Sequence, residues 1–333
     1  MESATAPCAT VKCERKKKMT GRRITFLGYG ACALAGSLWG TGFYFGRLAL
    51  DEMSVEHMVL YRFLFASVAM VPVALMRRER LTGREWGLLL ISAAFGIPIQ
   101  FLLQFYGLTL TTVSHASLMV GAMPVLLAAA AALFAGERLD WIGWLALTGS
   151  TVGAALIVLG GHRGPATRGE PSLAGDLLVV LSLIMALAWI LLSKRLMQGH
   201  SPLVVTSYSI LTGTAMLIAV VVAPWILSPW THQHGTPLPV ADVSTTAWAA
   251  LAISGILCTA TTTFLWNWGI HHVPASRAGV FLNIEPALGS YLGVRLLGEH
   301  LGPFAWAGGA LILTAAITLT TRGNQNEPQV ILE

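Results

Sequence analysis

The sequence predicts an all-α polytopic membrane protein, with ten transmembrane helices arranged as two inverted five-helix repeats, and three observations carry that prediction. Of its 333 residues 55% are hydrophobic and only 11% charged, with mean hydropathy +0.67, which leaves too little polar surface for a soluble domain. Apolar segments near the ~20 residues needed to cross a bilayer recur ten times. The two halves of the chain also match each other at a constant offset.

Residues 1–23 are polar and basic (Lys12, Arg15, Lys16, Lys17, Lys18, Arg22, Arg23), and no small-residue cleavage site follows the first apolar run. They read as an uncleaved cytoplasmic tail, with Met19 an alternative start. The apolar segments are 26–46, 56–76, 86–107, 114–134, 141–160, 173–193, 203–227, 247–270, 275–295 and 303–321. With the N-terminus inside, the inner loops hold Arg77, Arg78, Arg80, Arg84, Arg138, Lys194, Arg195, Arg277 and Arg322. The outer loops hold only Arg47, Arg163, Arg168 and Arg295. That asymmetry places both termini in the cytoplasm of a multi-pass inner-membrane protein. The net charge of +5 and pI of 9.2 therefore reflect orientation in the membrane rather than nucleic-acid binding. The loop 228–246 is Pro-rich, and its His232 and His234 read as solvated residues rather than metal ligands.

Adding 162 to positions between Gly107 and Trp144 lands, without a gap, on a related segment. Ser114 meets Ser276, Pro124 meets Pro286, Gly136-Glu137 meets Gly298-Glu299, and Trp144 meets Trp306. Apolar bias alone does not bring rare Pro, Glu and Trp into register, so the chain is an internal duplication. An earlier register, Trp39 with Trp189, has an offset of 150. The resulting organisation is a tail (1–23), a first repeat (24–160), a periplasmic linker (161–172), a second repeat (173–321) and a cytoplasmic tail (322–333). Five spans per half force the second half to run inverted, an architecture with a midplane site between the halves.

These residues resemble the EamA branch of the drug/metabolite transporter superfamily over about residues 26–321. The resemblance rests on a tryptophan in the first span of each half (Ser37-Leu38-Trp39-Gly40, Ala188-Trp189) and an arginine early in the second (Tyr61-Arg62-Phe63). It rests also on the fourth-span prolines (Met123-Pro124, Glu285-Pro286) and the closing Gly-Glu-x-Leu (Gly136 to Leu139, Gly298 to Leu301). It implies export, sometimes uptake, of small metabolites such as amino acids, their derivatives or nucleobases, with no nucleotide-binding domain. The second half has Thr212 at the position matching Arg62, so any role of that arginine is asymmetric.

The residues themselves nominate a site. Glu285 lies near the middle of an apolar span, where a carboxylate costs several kcal/mol unless it meets water, a partner or substrate. Its apolar surround opposes the charged form, which suits a proton-coupled cycle. Pro286, and Pro124 in the first half, lack an N–H and break the helical ladder beside the site. Gln100 and Gln104 share a helix face, and Thr262 and Trp266 stand at the matching positions of the second half; both stripes fit a substrate passage or interhelical packing. Arg62 has three readings: snorkelling to the interface, pairing with Glu285, or binding a substrate carboxylate. Trp39 lies on a face with Gly28, Ala35, Gly36, Gly42 and Gly46, and either fills a packing gap or forms a stacking wall, as does Trp189. Glu137 and Glu299 read as structural, capping or tying the short turn into the next span, His115 as a pH sensor or, in preference, a solvated interfacial residue, and Asp176 as a helix N-terminal acid.

Together these features predict a secondary transporter exporting a small polar or amphoteric metabolite by alternating access, with uptake or facilitated exchange as the alternative. Its partners are the small-molecule substrate, protons in a coupled cycle, and the lipid bilayer. No cofactor is expected. An enzyme would show a clustered catalytic constellation, which is missing: His271 and His272 are adjacent and point apart. The chain has no Gly-x-x-x-x-Gly-Lys loop, so an ion or substrate gradient supplies the energy.

Overall fold

The computed structural model describes residues 7–123, 125–126, 129–130, 141–160, 171–231, 243–273 and 281–322. Among them we number ten helices, with no strand. These are α1 (Pro7–Leu50), α2 (Val55–Met76), α3 (Gly83–Thr109), α4 (Val113–Val120) and α5 (Trp141–Gly160). There follow α6 (Leu173–Leu196), α7 (Pro202–Thr231), α8 (Thr245–Gly255, continuing through Ile256–Thr261 and Thr262–His272), α9 (Ile284–Leu296) and α10 (Pro303–Arg322). Five of them, α2, α3, α6, α7 and α8, are long and apolar enough to cross a membrane. The chain is an all-helical, multi-pass membrane protein.

The helices begin where side chains can replace missing backbone donors. Thr82 and Glu85 form a capping box at α3, with the Thr82 N–H donating to Glu85 Oε2 at 2.7 Å. Thr112, Ser172 and Ser244 cap α4, α6 and α8 through the amides of His115, Gly175 and Ala247. The polar stretch before the first apolar run is helical, because α1 already starts at Pro7. Proline suits a first helical position, and adding turns to a helix already nucleated in the apolar span costs little.

Two helices carry a π segment: Phe95–Ile99 in α3 and Ile256–Thr261 in α8. The stretches correspond at the 162 offset. In α3 the cause is Pro98, which has no N–H for a carbonyl one turn back. In α8 threonines take the slack: Thr259 Oγ1 donates to Ser254 O (2.9 Å) and Thr262 Oγ1 to Leu257 O (2.6 Å), both five residues back. The fourth span, read as continuous over 114–134, breaks early: α4 ends at Val120 and the chain turns at Gly121 and Ala122. The ninth turns at Asn283, the position 162 beyond Gly121, and restarts at Ile284. Pro286 thus falls in the first turn of α9, where its missing N–H is tolerated. Pro124, Glu137, His232, His234 and residues 274–280 lie outside the described residues.

Packing relies on glycine, as expected where lipid provides no hydrophobic drive and close backbone approach supplies the attraction. On α5 Gly153 faces the Gly308 carbonyl and Ile312 of α10; Gly308 faces the Gly153 carbonyl and Ile157 in return. Gly36 and Gly40 of α1 lie against the backbone of Phe281 and Glu285, and Gly255 of α8 lies against the Arg62 carbonyl of α2. Outward faces carry large apolar side chains such as Val68, Leu75 and Trp141. At one end of the bundle His200 bridges the loop between α2 and α3, its Nδ1 2.8 Å from Glu79 and its Nε2 3.0 Å from Glu85. The hydrogen bond with Glu79, then that with Glu85, holds the imidazole above its ordinary pKa against the opposing effect of burial.

Gly308→Ala should lower the thermal unfolding midpoint in detergent, because its methyl meets the Gly153 backbone; overpacking of this kind costs about 1–3 kcal/mol. Gly87→Ala, where the added methyl meets open space, should leave the midpoint unchanged or higher, and equal losses in the two variants would refute the close-approach argument. The His200 bridge makes a second, pH-dependent prediction. A raised folded pKa gives stability fully present below about pH 6.5 and lost as pH rises through the folded value. The midpoint gap between the native chain and His200→Gln should therefore shrink from pH 6 to pH 9, and a constant gap would rule the bridge out as a charged contact.

Candidate functional site

The centre of the site is Arg62. It is 3% exposed, yet its Nε–H makes the guanidinium's only hydrogen bond among the described residues, to Thr259 Oγ1 at 2.8 Å. Its central carbon stands 5.0 Å from the Phe101 ring centre and 5.3 Å from that of Phe105. Those two rings, four residues apart on α3, stack on each other at 6.2 Å. Gly42 of α1 lies beside Nη2, where a larger residue would close the space. The snorkelling reading of Arg62 is excluded, because the guanidinium turns inward among α1, α2, α3 and α8.

Each of these contacts has a local cause. The π segment of α8 offsets the helix, and Thr259 at its centre donates its hydroxyl to the Ser254 carbonyl while accepting from the Arg62 Nε–H. Cys258 beside it is buried and lies 3.2 Å from Thr41 Oγ1 of α1. Cation–π contacts of this geometry contribute ~0.5–2 kcal/mol each. That offsets only part of the several kcal/mol it costs to bury a charge.

Glu285 is half-buried and acts electrostatically on Arg62, but no ion pair within 4.0 Å joins them. Its position is set by Gly40, whose lack of a side chain admits the Glu285 backbone against α1. One residue before Gly40, Trp39 meets Trp266 of α8 with ring centres 5.6 Å apart and planes at 55°. Arg62, Thr259, Phe101, Phe105, Glu285 and the Trp39–Trp266 pair thus frame one region from five helices.

The other candidates divide. Gln104 is buried on the same helix as Phe101 and Phe105, and the buried Oε1 of Gln100 has no hydrogen-bond partner among the described residues. Trp189 of α6 packs its ring on Gly96 of α3, one turn before Gln100, and its buried Nε1 is likewise unpartnered. Thr262 spends its hydroxyl proton on Leu257 O and braces the π segment. Pro286 is buried against Gly121.

Two sequence readings need correction, those of His115 and Glu299, while Asp176 stands in the first turn of its helix as expected. His115 is 2% exposed rather than solvated, with Nδ1 3.7 Å from Asp176 Oδ2, because α6 covers it. Asp176, besides standing in the first turn of α6, accepts from Thr111 Oγ1 at 2.5 Å. Glu299 reaches past its own turn and caps α4. Sequence reasoning also missed Phe101 and Phe105, which read as ordinary apolar positions; their spacing around Gln104 was the available signal. It missed Asn283 too, which is 7% exposed and whose two amide atoms have no partner among the described residues.

Compared with known families, the chain matches the EamA-like transporter family over residues 26–159 and again over 173–321. It is 25% identical over 292 residues to an uncharacterized transporter of Archaeoglobus fulgidus, covering 87% of this chain and 95% of that one. It is 26% identical over 291 residues to a probable terminal-alkyne amino-acid exporter of Streptantibioticus cattleyicolor, covering 85% and 90%. A solved crystal structure shares the fold with TM-score 0.60 at 19% identity, covering 90% of this chain and 97% of its own.

Thr259→Val would leave the Arg62 Nε–H buried with no acceptor, a loss of about 1–3 kcal/mol. Its unfolding midpoint should fall clearly below that of Thr259→Ser, which keeps the hydroxyl. Equal midpoints would show that the guanidinium does not depend on this bond.

Proposed function

This chain belongs to the EamA-like transporter family, and on that premise we propose that it is a secondary transporter exporting a small amphoteric metabolite, of the amino-acid or derivative class, across the inner membrane by alternating access. The observation that carries the reading is the buried, under-bonded Arg62 guanidinium. A cation among aromatic rings, with most of its donors unused and its nearest carboxylate out of contact, is complementary to an incoming carboxylate. Glu285 stands ready on the far side for an amine or for a proton, while Trp39, Trp266, Phe101 and Phe105 supply apolar walls for the rest of the molecule. The name of the Streptantibioticus cattleyicolor relative, an amino-acid exporter, points to the same class.

The ten helices are read as two five-helix repeats of opposite orientation, with both termini in the cytoplasm. In support stand the two-fold match to one family, the π segments of α3 and α8 at equivalent positions, and the equivalent turns at Gly121 and Asn283. Broken and offset helices at the midplane are what a site opened alternately to either side requires. Gln100, Gln104 and Trp189, with two buried polar atoms still unpartnered, would extend the passage from the first half, and Thr262 holds the matching turn in the second.

Counterflow in proteoliposomes preloaded with a panel of amino acids and nucleobases tests the proposal. Exchange should be confined to substrates bearing a carboxylate and fall ~30-fold or more in Arg62→Gln, the loss expected when a buried charged contact worth 2–5 kcal/mol is removed. Glu285→Gln should abolish the response to an imposed pH gradient. Native exchange of neutral nucleobases but no carboxylates, or an Arg62→Gln variant that exchanges normally, would refute the assignment.

A further inference from the structure

The carboxylate of Glu299 does something its place in the sequence does not announce. It accepts from the Val113 N–H at 2.8 Å, from the Ser114 N–H at 2.7 Å and from Ser114 Oγ at 2.6 Å. All three donors belong to the first turn of α4, so a residue of the second half caps a helix of the first. Two glycines make the reach possible. Gly298 has φ +68 and turns the chain back at the end of α9. Gly293, one turn earlier, leaves the space in which Glu299 and Ser114 meet; a Cβ there would collide with both. The same end of α4 is held from the other side by Asp176 of α6 through Thr111.

We propose that Glu299 is the latch of one end of the transport path, tying α9 to α4 across the two halves while that end is shut and releasing α4 to open it. The proposal rests on the alternating-access reading above. A carboxylate on three donors suits the task better than apolar packing does. In the closed, dry state its charge-assisted bonds are strong, whereas in an opened vestibule water takes over both the carboxylate and the freed amides, so the exchange is nearly balanced. Below the latch, Ser117 is fully buried against Gly289 with its hydroxyl unpartnered among the described residues, one turn deeper along the same helix pair. That position senses whether α4 and α9 have parted.

The test needs no substrate. In the full chain, with Cys8, Cys13, Cys32 and Cys258 replaced by Ser, one cysteine is introduced by Ser117→Cys and, separately, by Tyr29→Cys. Tyr29 packs on Phe281 where α1 meets the chain entering α9, about two turns from Gly36 toward the opposite end. A membrane-impermeant maleimide is then applied to each face of reconstituted vesicles. Glu299→Gln keeps the shape but sets an amide N–H₂ against the α4 donors. It should speed labelling at position 117 about tenfold or more, the shift expected from losing one charge-assisted hydrogen bond, and slow labelling at position 29. Ser114→Ala should act in the same direction but less. Unchanged labelling at 117, or a rise at 117 and 29 together as in a merely loosened fold, would overturn the latch. If the native chain fails to exchange any compound, the transport reading falls while this comparison still reports on the latch.

Discussion

The burial of one unpaired guanidinium constrains the middle of this molecule. Among the described residues no carboxylate pairs with Arg62 within 4.0 Å, so every neighbouring helix is shaped to tolerate its charge. α1 presents glycine at Gly42, α3 presents two ring faces, and α8 presents a hydroxyl on a π segment. An arrangement that leaves a buried cation mostly unsatisfied sacrifices stability, and such sacrifices are concentrated where a ligand completes the structure. Glu285 completes the electrostatic frame without closing it.

The second theme is helices that approach closely and yet do not run true. Glycines let backbones touch at α1–α9, α5–α10 and α2–α8, which holds the bundle together without a hydrophobic drive. Within that tight scaffold the π segments of α3 and α8, and the turns at Gly121 and Asn283, are points where the ladder of hydrogen bonds is already interrupted. Bending at an existing interruption costs less than breaking a regular turn. The interruptions fall beside the Arg62–Glu285 region, whereas the ends of the bundle are tied by carboxylates: Glu52 to Ser244, Glu299 to α4, and Glu79 with Glu85 to His200. Soft middles and polar, hydratable ends are the distribution the proposed alternating-access cycle needs.

Much of the fold was legible beforehand because water and lipid sort residues so strongly. The apolar runs 56–76, 141–160, 173–193 and 303–321 fall within a few residues of α2, α5, α6 and α10. The rarity of Pro, Glu and Trp exposed the duplication. What misled was the assumption that a polar residue near a span's end meets solvent. His115 violates it, since a covering helix from elsewhere in the chain buries it. Phe101 and Phe105 were illegible for a related reason: in a sequence this apolar, two more aromatics carry no contrast until a charge is found between them and α8.

By itself, then, the sequence determined an all-helical membrane protein, the places where several of its spans lie, and the match between its two halves. These follow from hydropathy and helical period, which are local along the chain. Only the tertiary structure decided which polar groups converge. Arg62 bonds Thr259, nearly two hundred residues away, and Glu299 caps a helix in the other half. Such pairings depend on which face of each helix turns toward which neighbour, and in a lipid-solvated chain nearly every face is apolar, so periodicity holds no information about the choice. Glycine seams and a few hydrogen bonds make it instead.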